Sequence, residues 1–537
     1  MKRSLSAFAA LNCTQFLGAM NDNIFKLLTV FCFIAVEGSQ ASSKILSTVG
    51  ALYVIPFLLF STTAGMLADK FSKRTIIVFT KMAECLVMLL GIIAFTHKDK
   101  TLAYFALFLL ACHSAIFAPC KYGIVPEIVP KEGISRANGF LTSSTYCAII
   151  IGTFLASFLV DSTSHNFALS SSIAFVFALI GMAFSLKIPK TEAAGSQRPI
   201  SFLFIRELAR NIPIIYKQPT LLTAVGGSAF FLFVGSYAQL NMIPFAIDSL
   251  GLSDVQGGYL FLITALGIGT GSLIAGKLSG KHVELGLVPF GGIGISCCLF
   301  LLGNFSHLLP AVIALAFSIG VFGGIYLVPL DSYIQFTSPN NFRGQVIATG
   351  NFFGFFGVLL SALILYLLSE YIGLSPAKGF FIMGFITIIV VLAITYAISG
   401  YVCRFFAESL MKISKTEKLY GSQEVPMTTP SVFYSERSSL ALGFLLLGSQ
   451  YRRMRFFILK KGFCFLPGIY HAKDKEAFLA FSDTIEKTLA RGTSVVLFCP
   501  KTCFEELASR FSSTPLFHLE DDGNGSAKIS STFENPL

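Results

Sequence analysis

Long apolar runs separated by short charged clusters fill the first four hundred residues. A helix rises about 1.5 Å per residue and needs roughly 20 apolar residues to cross the hydrocarbon of a bilayer. On that ruler the pattern predicts about twelve spanning helices. Six lie near 6–36, 45–67, 75–95, 102–124, 138–159 and 168–186. Six more lie near 221–247, 257–278, 285–302, 309–334, 346–368 and 379–403. The first run is too long for a signal peptide and lacks a small-residue cleavage site, so it reads as a retained helix.

One stretch organises the rest. Residues 117–140 read FAPCKYGIVPEIVPKEGISRANGF, an apolar run that stops at Val125-Pro126 with Glu127 just beyond. Residues 321–343 read VFGGIYLVPLDSYIQFTSPNNFR, where Tyr326, Val328-Pro329 and Asp331 partly echo Tyr122, Val125-Pro126 and Glu127. An echo of this kind predicts one membrane bundle duplicated, as in many secondary transporters. The longest loop between apolar runs, 187–220, separates six spans from six. Its portion 201–216 mixes apolar residues with Arg206 and Arg210, and reads as an amphipathic interfacial helix.

Composition agrees: 13% of residues are charged and 54% apolar, against roughly 25% charged in an ordinary soluble domain. Beyond Arg404 the charges spread out as in a water-soluble domain. The expected fold is therefore all-α and membrane-embedded, two pseudo-symmetric six-helix bundles, followed by a small α/β cytoplasmic C-terminal domain. The expected boundaries are 1–187 and 220–403 for the bundles, 188–219 for the linker and 404–520 for the appended domain. The tail 521–537, rich in Gly, Ser and acidic residues, is expected to be disordered.

The formal net charge of +11 is dispersed among loops, with no basic stripe interleaved with aromatics, so a nucleic-acid partner is not expected. It sets sidedness instead. Lys2, Arg3, Lys70, Lys73, Arg74, Lys131, Arg136, Lys187, Lys190, Arg198, Lys277, Lys281 and Arg343 fall on one side, against mainly Lys44, Lys98, Lys100 and Lys378 on the other. The positive-inside bias puts both termini in the cytoplasm. The twelve cysteines have neither zinc-site nor disulfide spacing, and no metal or cofactor is expected.

Candidate chemistry begins in the first span. Asp22 and Lys26 lie one helical turn apart, so a carboxylate and an ammonium face the same way. Counted from Phe8, Asp22 lies about 20 Å along the axis, where a charge costs roughly 2.5 to 3.5 kcal/mol on insertion scales. With Asn21 and Asn23 the pair is expected to meet a zwitterionic head group or a coupling cation; the competing reading is a structural ion pair. Gln239 and Asn241 hold the matching place in the second half and are candidate head-group partners. Glu84 and Lys81 read as snorkelling residues, and His113 as a satisfied structural histidine.

The segment Gly65-Met66-Leu67-Ala68-Asp69-Lys70-Phe71-Ser72-Lys73-Arg74 resembles the signature loop of the major facilitator superfamily, with Ser72 where a second glycine is usual. Gly276 to Lys281 occupies the equivalent place in the second half, without the aspartate. Small Gly65 permits close helix approach, and Asp69 can hold a helix end or an arginine across the cytoplasmic seam. Gly65, Asp69 and Arg74 are assigned to the gate, together with Lys121, Glu127, Arg136, Asp331 and Arg343, which flank the two echoing helix ends. Four further stretches are similar to the lysophospholipid transporter branch of that superfamily: 16–26 around Asn21-Asp22-Asn23, 119–127, Arg136-Ala137-Asn138-Gly139 and 284–289. That resemblance covers the chain to about Gly400. It implies carriage of lysophosphatidylethanolamine and related lysolipids to the cytoplasmic leaflet of a bacterial inner membrane.

Residues 430–447 are similar to the start of a lysophospholipid acyltransferase domain. That family has a histidine and an aspartate flanking four residues; Glu436 and Ala441 stand there in this chain. Phe498 to Thr502 replaces a Phe-Pro-Glu-Gly motif. With the general base missing, no acyl transfer is expected, and a separate acyltransferase becomes a candidate partner. The rival functions are a lysophospholipid acyltransferase and a facilitator for another amphipathic solute.

Overall fold

In the computed structural model, twelve helices among the described residues are long and apolar enough to span a bilayer, and they fall where the hydropathy pattern places them. The structure describes residues 2–201, 203–280, 282–305, 307–414, 419–420, 430–436, 442–443, 446–447, 454–459, 469–490, 493–508, 510, 514–521 and 527–531. The chain forms two compact units, Met1–Val283 with Leu287–Ala397, and Ile398–Leu537 with the short Glu284–Gly286 segment.

In the first unit the amino-terminal half holds α1 (Lys2–Glu37), α2 (Ser42–Lys70), α3 (Lys73–His97), α4 (Lys100–Gly123), the short α5 (Val125–Ile128), α6 (Ile134–Ser162) and α7 (Phe167–Leu186). A linker helix α8 (Phe204–Tyr216) leads to α9 (Pro219–Leu250), α10 (Asp254–Leu278), α11 (Leu287–Asn304), α12 (Leu309–Thr337), α13 (Arg343–Tyr366) and α14 (Pro376–Ala397). Between the halves the main contacts are α2 with α13 and α6 with α10. A twofold that carries α2 onto α10 carries α13 onto α6, so the two seams are images of each other. This is the duplication that the echo of 117–140 in 321–343 predicts.

The echo is imperfect for a local reason. Pro126 follows a break and opens α5, whereas Pro329 lies inside the continuous α12. Neighbouring helices in a membrane bundle can satisfy the backbone groups that a proline frees. In the second half α10 and α12 approach backbone to backbone. Gly267 and Gly271 face Gly320 and Gly324, and a Cβ on any of the four would meet main chain of the other helix, the small-xxx-small geometry of membrane helix pairs.

The linker is ordered. α8 buries Glu207, Leu208, Asn211 and Ile215, a stripe at helical spacing, and packs against α2, α9 and α13. Ile205 and Tyr216 remain on its exposed side, so the amphipathic reading of 201–216 describes a helix lying across both halves. The last span stops at Ala397, not Cys403. The amphipathic α15 (Ser399–Ser414) belongs to the second unit, which begins at Ile398 and not at Arg404.

The second unit is α/β. Among the described residues a seven-stranded sheet runs in the order β1 (Leu419–Tyr420), β7 (Ala527–Ser531), β6 (Leu516–Asp521), β2 (Val432–Ser435), β5 (Ser494–Phe498), β3 (Met454–Leu459), β4 (Ile469–Ala472). All neighbours are parallel except β6 and β7. Strands β2 and β5 are buried along their whole length, as expected for strands covered on both faces. The described residues of the unit also form helices α16 (Lys475–Leu479), α17 (Ser482–Ala490) and α18 (Lys501–Ala508). Residues 527–531 fall in the tail expected to be disordered, but they pair with β6 as an inner strand. Ile529, opposite Leu519, is buried in the core and accounts for the difference. Glu284 pairs with Arg404 within this unit, both nearly buried. Burial raises the Glu284 carboxyl above its ordinary value, and the Arg404 guanidinium opposes that rise.

Candidate functional site

The halves are fastened at the end that bears the Lys- and Arg-rich loops. Asp69, at the last turn of α2, directs Oδ1 to the Gly344 N–H at 2.6 Å and Oδ2 to the Gln345 N–H at 3.0 Å. The Gln345 side-chain amide adds a third bond to Oδ2 at 3.1 Å. Gly344 and Gln345 open α13, where helical N–H groups have no partner of their own, so a carboxylate from one half caps a helix of the other. Gly65 makes the approach possible, since a Cβ there would lie 2.6 Å from Ala348 Cβ and 2.7 Å from the Gly344 carbonyl.

The linker joins this fastening. Arg198 donates to Gln345 Oε1 at 2.9 Å and Asn211 Oδ1 at 3.1 Å, and Asn211 donates to Thr349 Oγ1 at 3.3 Å. A second clasp joins α6 to α12: Asn138 and Gln335 exchange amide hydrogen bonds at 3.1 and 3.0 Å, and Asn138 also donates to Ser332 Oγ at 3.0 Å. In the mirror seam Gly276 lies against Ser135 and Arg136, and Gly280 stands where the first seam has Asp69. The Ser135 hydroxyl donates to the His282 carbonyl there, at 3.3 Å.

Above the clasps a cavity of about 190 Å³ is lined from both halves, by Tyr122, Thr145 and Tyr146 on one side and Ser228, Leu232 and Asp331 on the other. Asp331 accepts from Ser228 Oγ at 2.8 Å. Lys121 lies within electrostatic reach of both Asp331 and Asp22. Roughly 12 Å further along α4 lies a denser set of charges. Asp22 Oδ2 accepts from Ser114 Oγ at 2.7 Å, and Tyr53 OH is 3.5 Å away. Asp22 Oδ1 is buried and has no hydrogen-bond partner among the described residues. Glu84 accepts from Asn21 at 3.1 Å, pairs with Lys81 at 2.5 Å, and has His113 Nε2 at 3.3 Å.

The Major Facilitator Superfamily model matches residues 11–362, and again 225–401. The chain belongs to the Major Facilitator Superfamily. It is a membrane transporter. Curated relatives include the lysophospholipid transporter LplT of Citrobacter koseri, 28% identical over 70% of this chain and 90% of the relative, and its counterpart from Salmonella arizonae, 26% identical over 67% and 87%. Among solved structures, the human organic anion transporter MFSD10 superposes with a TM-score of 0.60 at 14% identity, covering 73% of this chain and 99% of that one. An E. coli fucose:proton symporter gives 0.59 at 14%, covering 74% and 99%. At such identities these two likenesses speak for the fold.

Within this superfamily carrier the residues singled out from sequence part company. Asp22 and Lys26 share a face but do not close into an ion pair: Lys26 donates to Asn23 Oδ1 at 3.1 Å and lies 5.5 Å from the centre of the Tyr53 ring. Asn23 itself donates to the Ala19 carbonyl. Gln239 continues the α9 face of Ser228 and Leu232, at steps of four and seven residues, and is exposed. Asn241 is almost fully buried and donates to the Pro376 carbonyl at 2.8 Å, fastening α9 to α14. It lies about 200° around the helix from Gln239, so the two cannot serve one cleft.

Of the residues assigned to a gate from sequence, Asp69 and Gly65 cross the seam, while others make their contacts inside one half. Arg74 donates to the Leu186 and Ile188 carbonyls at 3.3 Å, and Glu127 pairs with buried Lys73 at 2.6 Å. Arg343 donates to the Gln335 carbonyl at 3.0 Å and to Asn340 Oδ1 at 2.5 Å, shaping the turn that presents Gly344 to Asp69. Arg136 is exposed beside Phe140, Asp331 lines the cavity, and the Lys121 ammonium stands 4.5 Å from the ring centre of Tyr122, which also lines it. Lys81 and Glu84 do not snorkel: both are buried and satisfy each other.

In the second unit Glu436 follows β2, exposed, and accepts from Tyr434 OH at 3.1 Å. Ala441 lies outside the described residues. His471 is on β4, three strands from β2 and so about 14 Å away, too far for a catalytic pair with Glu436.

Proposed function

We propose that this transporter carries lysophospholipids, lysophosphatidylethanolamine among them, across a bacterial inner membrane to the cytoplasmic leaflet by alternating access. The observation that carries the reading is the buried, unpartnered Oδ1 of Asp22, one turn from half-buried Lys26. A buried carboxylate oxygen without a donor is costly and is expected where a ligand supplies one. A phosphoethanolamine head carries an ammonium for Asp22 and a phosphate for Lys26. Lys121, Asp331 and the cleft-facing Gln239 extend that polar surface toward the small cavity. The names of the curated relatives support the same substrate class.

On this reading both termini are cytoplasmic, and the seam of Asp69 with α13 is the cytoplasmic gate in its closed state. Surrounding membrane lipid receives the acyl chain. The second unit, lacking the histidine and aspartate pair, acts as a docking or regulatory module, and acylation falls to a separate acyltransferase. Uptake of labelled lysophosphatidylethanolamine into proteoliposomes holding the full chain, compared with other amphipathic solutes, tests the reading. Equal uptake of unrelated solutes, or none of the lysolipid, sinks it.

A further inference from the structure

His113 contains a constraint that neither the gate nor the head-group reading uses. Its Nδ1 lies 2.6 Å from the Leu110 carbonyl, which can only accept, so Nδ1 carries a hydrogen. Nε2 then faces Glu84 Oε2 at 3.3 Å. Unprotonated, that nitrogen would set a lone pair against a carboxylate oxygen; protonated, it donates. The contact therefore calls for a second, exchangeable proton between the two groups. Lys81 Nζ, 2.5 Å from the same oxygen, keeps Glu84 a carboxylate and leaves the proton on the imidazole.

We propose that His113 and Glu84 form a proton-binding site that discharges when a lipid ammonium engages Asp22, so that the carrier exchanges a proton for its substrate. The inference rests on the head-group reading above. The argument is one of charge. Protonated His113 and Lys81 balance Glu84 and Asp22, two positive against two negative groups in a buried cluster drawn from α1, α3 and α4.

The cluster is connected. Ser114 Oγ lies 2.7 Å from Asp22 Oδ2 and 3.5 Å from His113 Nδ1, while Asn21, next to Asp22 in the chain, donates to Glu84 Oε1. The lipid phosphate answers the charge of half-buried Lys26, so an ammonium at Asp22 Oδ1 would leave the fully buried set with one uncompensated positive charge away from water. Loss of the proton from Nε2 to solvent, as the imidazolium becomes a neutral imidazole, restores the balance. The lone pair then facing Glu84 is the drive to reload once the lipid has gone.

The charged and titratable groups near His113 come from every helix packed on α4. From α3 come Glu84 and Lys81, from α1 Asp22 and Lys26, and from α2 Tyr53, which reaches Asp22. α4 adds Lys121, α5 brings Glu127, held by Lys73, and α13 carries a single charge, Arg343, at its first residue.

The test uses the purified full chain in a weakly buffered detergent solution with a pH-indicator dye, titrated with lysophosphatidylethanolamine. About one proton is expected to leave per lipid bound, and affinity is expected to fall up to about tenfold per pH unit on acidification. His113→Gln should still bind lipid but release no proton and lose the pH slope; Glu84→Gln is the second variant if His113→Gln does not fold. Lipid binding without proton release in the unaltered protein, or release that persists in His113→Gln, overturns the proposal. No lipid binding at any pH overturns the head-group reading itself, and this inference with it.

Discussion

Asp69 on α2 caps the first turn of α13 through Gly344 and Gln345, so a side chain from one half completes a helix of the other. A carboxylate that accepts three hydrogen bonds at a helix amino terminus combines charge-assisted bonding with the helix dipole. Asp69→Asn keeps one acceptor oxygen and loses the charge, which should weaken the closed seam by about 1.5 to 3 kcal/mol. Distances between spin labels at the ends of α2 and α13 should broaden toward an open population, and transport should fall at least several-fold. An unchanged distance distribution would show that the cap does not hold the gate.

Asp22→Asn and Lys26→Met remove the two charges assigned to the head group. Each should lower lysophosphatidylethanolamine transport by about tenfold or more, equivalent to at least 1.4 kcal/mol. Thermal stability should hold or rise, because Asp22 Oδ1 has no partner to lose. Transport at the original level in both variants, with the protein folded, would remove the site assignment.

Asn138 and Gln335 satisfy each other across the α6–α12 contact. Asn138→Leu leaves the Gln335 amide buried without its partner and should cost about 1 to 3 kcal/mol. Pairing it with Gln335→Leu should cost less than the sum of the two single changes, since both polar groups then leave together. Thermal unfolding of the three variants gives the coupling, and strict additivity would mean that the clasp contributes nothing as a pair.

Arg404 and Glu284 form a nearly buried pair within the second unit. Arg404→Met strands Glu284, and breaking such a pair from one side typically costs about 3 to 5 kcal/mol. Limited proteolysis should reveal faster cleavage after Ile398, while Glu284→Gln in the same background should recover part of the loss by removing the stranded charge. Equal protease resistance in both backgrounds would argue that the pair is solvated.

The twelve spans were legible because length and hydropathy are local properties of the chain, and Gly65 with Asp69 was legible as a close helix contact because the motif is contiguous. The partners were not. Sequence spacing leaves open that Asp69 would hold a helix amino terminus and not an arginine, since Gly344 is 275 residues away. Lys81 and Glu84 looked like residues at a membrane edge, and their burial depends on His113 and Asn21 arriving from α4 and α1. The contact of Asn241 with Pro376 was hidden for a different reason: symmetry between the halves locates a depth on a helix, whereas two residues further along α9 point to the opposite side. Arg198 and Asn211, in the linker, gave no signal beyond amphipathicity, because their partners Gln345 and Thr349 lie on a helix more than a hundred residues later.

The glycine contact between α10 and α12 bears on how the carrier moves. With main chain resting on main chain and no side chains between, that pair has no slack to bend or slide, and it works as a stiff lever inside the second half. Whatever flexing accompanies a transport cycle must therefore be taken up elsewhere, in the seam helices that lack such a contact. Adaptive changes in turnover should accumulate on α6 and α13, and leave Gly267, Gly271, Gly320 and Gly324 untouched.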